Sequence, residues 1–110
     1  MLRKLLLTLV VAMGCAFSIL AQSGQGSIQG VITDDETGEP IPFANVALKN
    51  GESIIMGATT DFDGKYTLKP IPPGTYDVEV SFVGYQTNKV ARLSVSTDKI
   101  TFQNVGLGKG

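Results

Sequence analysis

Histidine and tryptophan are absent from the 110-residue sequence, and the only cysteine is Cys15. Because Cys15 lies within an apolar leader, the chain that follows has no imidazole base, thiol nucleophile, disulfide or Cys/His zinc site. Basic residues are also scarce. With Arg3 and Lys4 in the leader, seven of the nine basic residues remain against all ten acidic ones, a net charge of −3. These absences exclude most enzyme mechanisms, give no reason to expect a cofactor, and argue against nucleic acid as a partner.

Residues 1–21 have the three parts of a secretory signal peptide. Arg3 and Lys4 supply the positive charge, an apolar run covers residues 5–21, and the small Ala21 suits the position before a cleavage site. Two alternatives stay open. One is an uncleaved anchor, although the run is shorter than the roughly 20 apolar residues that a bilayer requires. The other is lipidation of Cys15, although the residues before it fit a lipobox poorly. In each case the sequence predicts export, to the periplasm or in association with the outer membrane.

A short polar linker, residues 22–26, precedes a series of predicted strands. The clearest has Tyr76, Val78, Val80 and Phe82 alternating with polar residues, so that one face is apolar and the other is wet. No segment has the 3.6-residue apolar period of a helix. The predicted strands cover residues 28–33, 44–48, 54–60, 65–69, 76–82, 91–95 and 100–107, the last with a β-bulge near residues 103–104. About seven strands without helices predict an all-β, antiparallel Greek-key β-sandwich, since two stacked sheets bury the apolar face that a single sheet would expose.

Residues 61–64, Asp-Phe-Asp-Gly, have two interpretations. Two carboxylates two residues apart and a glycine partly match a calcium-binding loop. With Gly64 in the sixth position, however, the twelfth is Pro70 instead of the required glutamate. The preferred interpretation is a turn in which Asp61 accepts hydrogen bonds from backbone N–H groups and Gly64 adopts a positive φ. Asp61, Asp63 and Gly64 are therefore predicted turn residues, and no metal site is predicted.

Pro73 and Gly74 predict a second turn, of type II, with proline and glycine at its two central positions. Tyr76 follows, and it is either a core tyrosine or a residue whose hydroxyl returns to the turn, as in a tyrosine corner. The acidic residues at 34–36 and 39 have two interpretations, a site for cations or for a basic partner and a solvated hairpin tip, of which the tip is preferred. The aromatic residues that look free of the core pattern are Phe43, Phe62 and Tyr85.

Five segments in order resemble the carboxypeptidase regulatory-like domain, a transthyretin-like seven-stranded sandwich. They are residues 30–34 (GVITD), 37–46 (TGEPIPFANV), 59–66 (TTDFDGKY), 72–76 (PPGTY) and 83–85 (VGY), the last with Gly84 and Tyr85 at a predicted turn. Each motif alone is weak, and their shared order carries the resemblance. The predicted domain covers residues 27–107 and leaves residues 108–110 as a tail.

The resemblance has implications for function. In bacterial envelopes such a domain precedes the plug and barrel of TonB-dependent outer-membrane receptors, and in metallocarboxypeptidases it packs beside the catalytic domain. Neither peptidase activity nor transport carries over, because the sequence holds neither the zinc-peptidase domain nor the plug and barrel. What the resemblance implies is an exported accessory fold, either free-standing or the N-terminal part of a receptor.

The combined expectation is an exported, non-catalytic module that works by contact with an envelope protein or an outer-membrane receptor. Its expected contact surfaces are the turns at residues 34–42 and 61–64 and any exposed sheet edge, where a partner strand can pair. A carbohydrate-binding module is the alternative, supported by the resemblance only. A hydrolase using Asp61 and Asp63 is a third hypothesis. It is disfavoured because neighbours on a tight turn seldom reach the carboxyl separation of roughly 5–10 Å that glycosidases require.

Overall fold

The computed structural model describes residues 24–110, and the predicted signal peptide lies outside this range. Every regular element within it is a β-strand, which confirms the predicted all-β fold. The strands are β1 (Gly26–Asp34), β2 (Asn45–Asn50), β3 (Ser53–Thr59), β4 (Lys65–Ile71), β5 (Gly74–Ser81), β6 (Asn88–Val95), β7 (Ile100–Phe102) and β8 (Val105–Leu107). There are eight instead of about seven, because the predicted strand at residues 100–107 is divided in two.

Two sheets form the sandwich. One has the order β4-β1-β7, with β8 also paired to β1, and the other has the order β3-β2-β5-β6. The alternation in β5 places Tyr76, Val78 and Val80 in the core, and Val46 and Leu48 of β2 lie beside them. Val95 of β6 is buried in the same sheet, and the facing sheet contributes Ile28, Ile32, Tyr66, Leu68, Ile71, Val105 and Leu107. Burial of these apolar side chains between the sheets is the main force that holds the domain together.

The pairing of β1 differs from the antiparallel prediction. β1 is antiparallel to β4, but it is parallel to both β7 and β8, with Ser27 opposite Ile100 and Ile32 opposite Val105. All other strand pairs are antiparallel. The parallel pairs arise because the chain crosses to the other sheet after β4 and returns only at β7, in the direction of β1.

The division between β7 and β8 falls at Gln103 and Asn104, where the sequence predicted a bulge. The Gln103 N–H donates to Gln29 O at 2.8 Å, and the Asn104 side chain accepts from Val31 N–H at 2.9 Å. The carbonyl of Gln103 lies so close to Gly30 that a Cβ atom there would overlap it. The interruption therefore packs closely against Gly30. The side-chain amide oxygen of Asn104 accepts the Val31 N–H in place of a backbone carbonyl.

Strand β4 also continues further than the sequence indicated. A proline was expected to end it at Lys69, but the strand includes Pro70 and finishes at Ile71. β4 is an edge strand that pairs only with β1, and the register shifts between Gly26 and Ile28 opposite this segment. Proline lacks a backbone N–H and is tolerated at such edges and irregularities.

Three inter-strand loops lie at one end of the sandwich, because strands that follow one another in the sequence from β1 to β7 run in opposite directions. They join β1 to β2, β3 to β4 and β5 to β6, and the segment after β8 is at the same end. Hydrogen bonds link them, including Phe43 N–H to Thr60 O at 3.1 Å and Gln86 N–H to Gly108 O at 2.7 Å. This end is called the Phe43 end below.

Candidate contact surface at the Phe43 end

Thr60 fixes the loop between β1 and β2 against the turn between β3 and β4. Its side chain is 2% exposed, and its hydroxyl donates to Ile41 O at 2.7 Å. The same oxygen accepts from Ala44 N–H at 2.8 Å. Thr60 N–H in turn donates to Ala44 O at 3.0 Å. One buried threonine thus satisfies backbone groups on both sides of Phe43 and sets the position of that residue.

Phe43 has a φ of 62°, in the left-handed region. An aromatic L-residue rarely adopts this conformation, which costs roughly 1–2 kcal/mol. The ring is not buried in return, because 53% of the residue is exposed. Backbone strain that delivers an apolar ring to the surface has no explanation in core packing, so it points to function.

Phe62 completes an exposed aromatic pair with Phe43. The ring centroids are 5.2 Å apart and the planes meet at 78°, an edge-to-face arrangement, while Phe62 is 81% exposed. This geometry is favourable between aromatic rings and leaves ring faces open to solvent. The expectation that both residues stand outside the core agrees with their positions. Their pairing and the strain at Phe43 were not predicted, since no sequence signal indicates a positive φ at phenylalanine.

The turn that carries Phe62 is held by Asp61. Its Oδ1 accepts from Asp63 N–H and from Lys65 N–H, both at 2.9 Å. Gly64 has a φ of 74°, and a Cβ atom there would press on Ile32 O. Oδ1 of Asp61 is therefore engaged by the backbone of its own turn, while the residue itself is exposed. Within residues 24–110 no three acidic side chains are placed to hold a metal ion together.

Asp34 was expected at a solvated hairpin tip, and this was wrong. The residue is 6% exposed. Its Oδ1 accepts from the N–H groups of Glu36 and Thr37 at 2.8 and 3.1 Å, and its Oδ2 accepts from the Tyr85 hydroxyl at 2.8 Å. The Tyr85 hydrogen bond, followed by the two backbone donors, holds the pKa of Asp34 below its usual value. The carboxylate caps the turn and links it to the β5–β6 loop.

Tyr85 was expected to be free, and this was also wrong. The ring is half-buried against the core, with its centroid 6.2 Å from that of Phe82. Its hydrogen bond to Asp34, then burial, raises the pKa of Tyr85. Gly84 precedes it with a φ of 87°. The aromatic residues displayed by these loops are therefore Phe43 and Phe62, and Tyr85 supports the loops from within.

Pro73, Gly74 and Tyr76 lie at the opposite end of the sandwich. Gly74 has a φ of 158°, which differs from the value near +80° that a type II turn requires. Tyr76 combines the two interpretations given for it, since it is buried and its hydroxyl donates to Pro72 O at 2.7 Å. The structure thus brings Asp61, Asp63, Gly64, Gly84 and Tyr85 to the Phe43 end and separates them from these three residues.

Acidic residues are concentrated at the end of the sandwich that carries the aromatic pair. Six of the ten acidic residues in the sequence are at this end, namely Asp34 at the end of β1 and Asp35, Glu36, Glu39, Asp61 and Asp63 in the loops. All but Asp34 are exposed. The two ion pairs found among residues 24–110 join Lys49 to Glu79 and Lys89 to Asp77, on other strands. The exposed acids at the Phe43 end consequently have no cationic partner within the described part of the chain.

Two stacked sheets joined by loops at both ends define the class of small β-sandwich domains, in which a rigid frame carries the loops. The family model of the carboxypeptidase regulatory-like domain matches residues 27–108, and the chain belongs to this family. Along residues 24–110 there is no helix of the length and apolarity that crossing a bilayer requires.

Two relatives are TonB-dependent receptors. The chain is 37% identical over 87 residues to TonB-dependent receptor SusC of Bacteroides thetaiotaomicron, and 33% identical over 75 residues to TonB-dependent receptor P39 of Formosa agariphila. These matches cover 79% and 68% of the chain, but 8% and 7% of the receptors. The chain therefore spans less than a tenth of the length of either receptor.

Solved structures share the fold. A proposed carbohydrate-binding protein from Bacteroides uniformis has a TM-score of 0.60 at 19% identity, covering 74% of this chain and 40% of that one. The 5-hydroxyisourate hydrolase of Klebsiella pneumoniae also has a TM-score of 0.60, at 16% identity, covering 76% of this chain and 91% of the hydrolase. At such identities the likeness shows the fold alone, since one sandwich hosts many functions.

Proposed function

We propose that this chain is an exported, non-catalytic contact module of the bacterial envelope, of the kind that accompanies TonB-dependent receptors. The two receptor relatives support a role in the envelope, and the matched segment is a small part of each. The observation that carries the proposal is the exposed pair of Phe43 and Phe62, presented by a strained loop that Thr60 holds in place. Exposed aromatic residues on a rigid frame are typical of binding surfaces.

The chemistry of the surface supports contact over catalysis. The Asp61 carboxylate is engaged by its own turn, and the Asp34 carboxylate is engaged by Tyr85 and two backbone N–H groups. Asp34 does lie beside the Tyr85 hydroxyl, but both of its oxygens are engaged and its hydrogen bond raises the pKa of Tyr85, so the pair does not supply an activated nucleophile. The sequence also supplies no histidine to act as a base. An exposed apolar surface of this kind therefore supports binding better than it supports covalent catalysis.

Photo-crosslinking in cells tests the proposal. The photoreactive residue p-benzoylphenylalanine is placed at position 62, and at the exposed position 102 as a matched control. We expect a discrete crosslinked protein adduct from position 62 that position 102 does not give. Adducts of equal pattern and yield from both positions, or none from position 62 in the exported protein, would contradict a specific contact at this end.

A carbohydrate-binding module is the second candidate, and one observation favours it. Phe43 and Phe62 expose ring faces of the kind on which sugars stack, whereas Tyr85, the third aromatic considered for this role, is half-buried. A glycan array probed with the exported protein and with its Phe62→Ala variant tests this. Signal that is lost in the variant would favour sugar binding. An array without signal would eliminate it and leave the protein contact.

A further inference from the structure

The Phe43 end combines two properties that together define a partner. The first is apolar, since Phe43 and Phe62 are exposed as a pair and Val83 of the β5–β6 loop is exposed at the same end. The second is electrostatic, since Glu39, Asp63 and the other exposed acids of these loops have no cation within ion-pair distance among residues 24–110. The same end also carries Lys65, the first residue of β4, and Lys109, so its exposed acids outnumber its cations by five to two. An apolar patch with such an excess of negative charge favours a ligand that is both apolar and positively charged.

We propose that the Phe43 end binds a positively charged, extended segment of a partner protein, with an arginine or lysine side chain over the ring of Phe62. This inference rests on the proposed contact function and specifies its partner. A cation above an exposed aromatic face is attracted by the ring quadrupole, and arginine does this while its fork engages a carboxylate. Asp61 and Asp63 flank Phe62 in the chain, so their turn holds ring and carboxylates together.

The charge of the surface separates this partner from other ligands. Anionic ligands such as nucleic acid or acidic lipid headgroups are repelled by the carboxylates around the rings. A neutral glycan can stack on the rings and donate hydroxyl hydrogen bonds to the acids, but it carries no charge, so the acids do not attract it from a distance. A basic segment interacts with both the aromatic rings and the exposed acids. Its association is faster at low salt, because the acids then attract it from a greater distance.

The probe is a short synthetic peptide in which arginine and valine alternate, titrated into the exported protein and followed by NMR chemical shifts and by anisotropy. The same peptide with glutamate in place of arginine is the ligand control. We expect shifts confined to the loops of the Phe43 end and an affinity that falls as sodium chloride is raised. No shifts with the arginine peptide, or equal binding of both peptides, would overturn the inference.

Paired variants locate the site. Phe62→Ala should weaken binding of the arginine peptide by about three- to fivefold, the value of one exposed cation–π contact. Asp63→Asn should weaken it by about twofold and reduce the salt dependence. Phe102→Ala and Glu52→Gln are the matched controls, because both residues are exposed and lie away from the Phe43 end. Losses of equal size in the controls would overturn the assignment.

The outcomes also separate this inference from the function on which it rests. Crosslinking from position 62 without binding of the arginine peptide would preserve the contact module and reject a basic partner. Displacement of the peptide by a neutral glycan, with equal affinity at low and high salt, would likewise reject it in favour of sugar recognition. Peptide binding that Phe62→Ala and Asp63→Asn both weaken, together with crosslinking from position 62, supports both.

Discussion

The hydroxyl of Tyr85 donates a 2.8 Å hydrogen bond to Oδ2 of Asp34, across 51 positions of sequence. It joins the loop after β5 to the end of β1, and so couples loops from the two sheets. The remaining carboxylate oxygen of Asp34 is engaged by two backbone N–H groups of its own turn. The pair therefore contributes to the stability of the Phe43 end as a whole, and its charge makes that contribution depend on pH.

Tyr85→Phe is expected to lower the Tm by roughly 4–8 °C at pH 7, the shift that loss of one hydrogen bond causes in a domain of this size. The folded pKa of Asp34 is depressed, so its stabilisation is present above the unfolded pKa of about 3.9 and is lost as pH falls through the folded pKa. The difference between variant and wild type should shrink below about pH 4. Thermal melts followed by circular dichroism across this range measure it.

Tyr76→Phe is the control for that experiment. It removes a hydrogen bond to a neutral carbonyl, that of Pro72, so its Tm deficit should stay constant over the same acid range. A deficit for Tyr85→Phe that is equally insensitive to pH would refute the role assigned to the Asp34 charge.

Thr60→Val is expected to lower the free energy of unfolding by about 2–4 kcal/mol, because it leaves the carbonyl of Ile41 and the N–H of Ala44 buried without a partner. Thr60→Ser keeps the hydroxyl and should cost about 1 kcal/mol, close to the loss of one buried methyl group. Urea unfolding of the three proteins gives the comparison. Equal losses for valine and serine would mean that packing, not the hydroxyl, fixes this loop.

Gly30→Ala should destabilise the domain by about 2–3 kcal/mol, since the new methyl group overlaps the carbonyl of Gln103 and forces β7 and β8 away from β1. Gly57→Ala is the matched control in β3. There the nearest atom, Val46 O, is at 3.5 Å, an ordinary contact, and alanine should stabilise the strand by about 0.5–1 kcal/mol. Chemical denaturation distinguishes the two variants. A Gly30→Ala protein as stable as wild type would contradict the close packing of the Gln103 carbonyl against Gly30.

Phe43→Gly is expected to be more stable than Phe43→Ala by about 1 kcal/mol, because glycine adopts a φ of 62° without the steric cost that alanine retains. Both variants lose the aromatic contact equally, so their difference isolates the backbone strain. At Phe62, which has no positive φ, glycine should not exceed alanine. Denaturant midpoints of the four variants provide the measurement, and the absence of any gain at position 43 would show that the loop is unstrained.

The sequence predicted those parts of the fold in which side chains alternate regularly. Tyr76, Val78 and Val80 have the period of a half-buried strand, and the structure places all three in the core of β5. The same alternation fails in β6, where it places Ala91 on one face with Leu93 and Val95, although Ala91 is exposed. Arg92 has a φ of 60° and the register with β5 shifts nearby, so the side chains change face. A local irregularity of this kind leaves no mark in the hydrophobic pattern.

The candidate surface was predictable only in outline. The turns around residues 34–42 and 61–64 were identified by their composition, because glycine, proline and aspartate favour turns for known steric reasons. The burial of Asp34 was not, since it depends on Tyr85, which is 51 positions away in sequence. The left-handed conformation of Phe43 likewise depends on hydrogen bonds to Thr60. Long-range contacts of these kinds determine the surface, and composition does not encode them.

The parallel pairing of β1 with β7 and β8 determines the order in which the domain can assemble. Within the domain β1 pairs with β7 and β8, with Ser27 opposite Ile100, so its central place in the sheet is completed by strands that are synthesised after β2 to β6. Before then β1 has β4 as its only partner within the sheet. Closing a contact of such long sequence separation is slow because the intervening chain must first be ordered. A nascent chain that stops before Ile100 would therefore leave one side of β1 open, and an unpaired strand edge invites pairing with other chains.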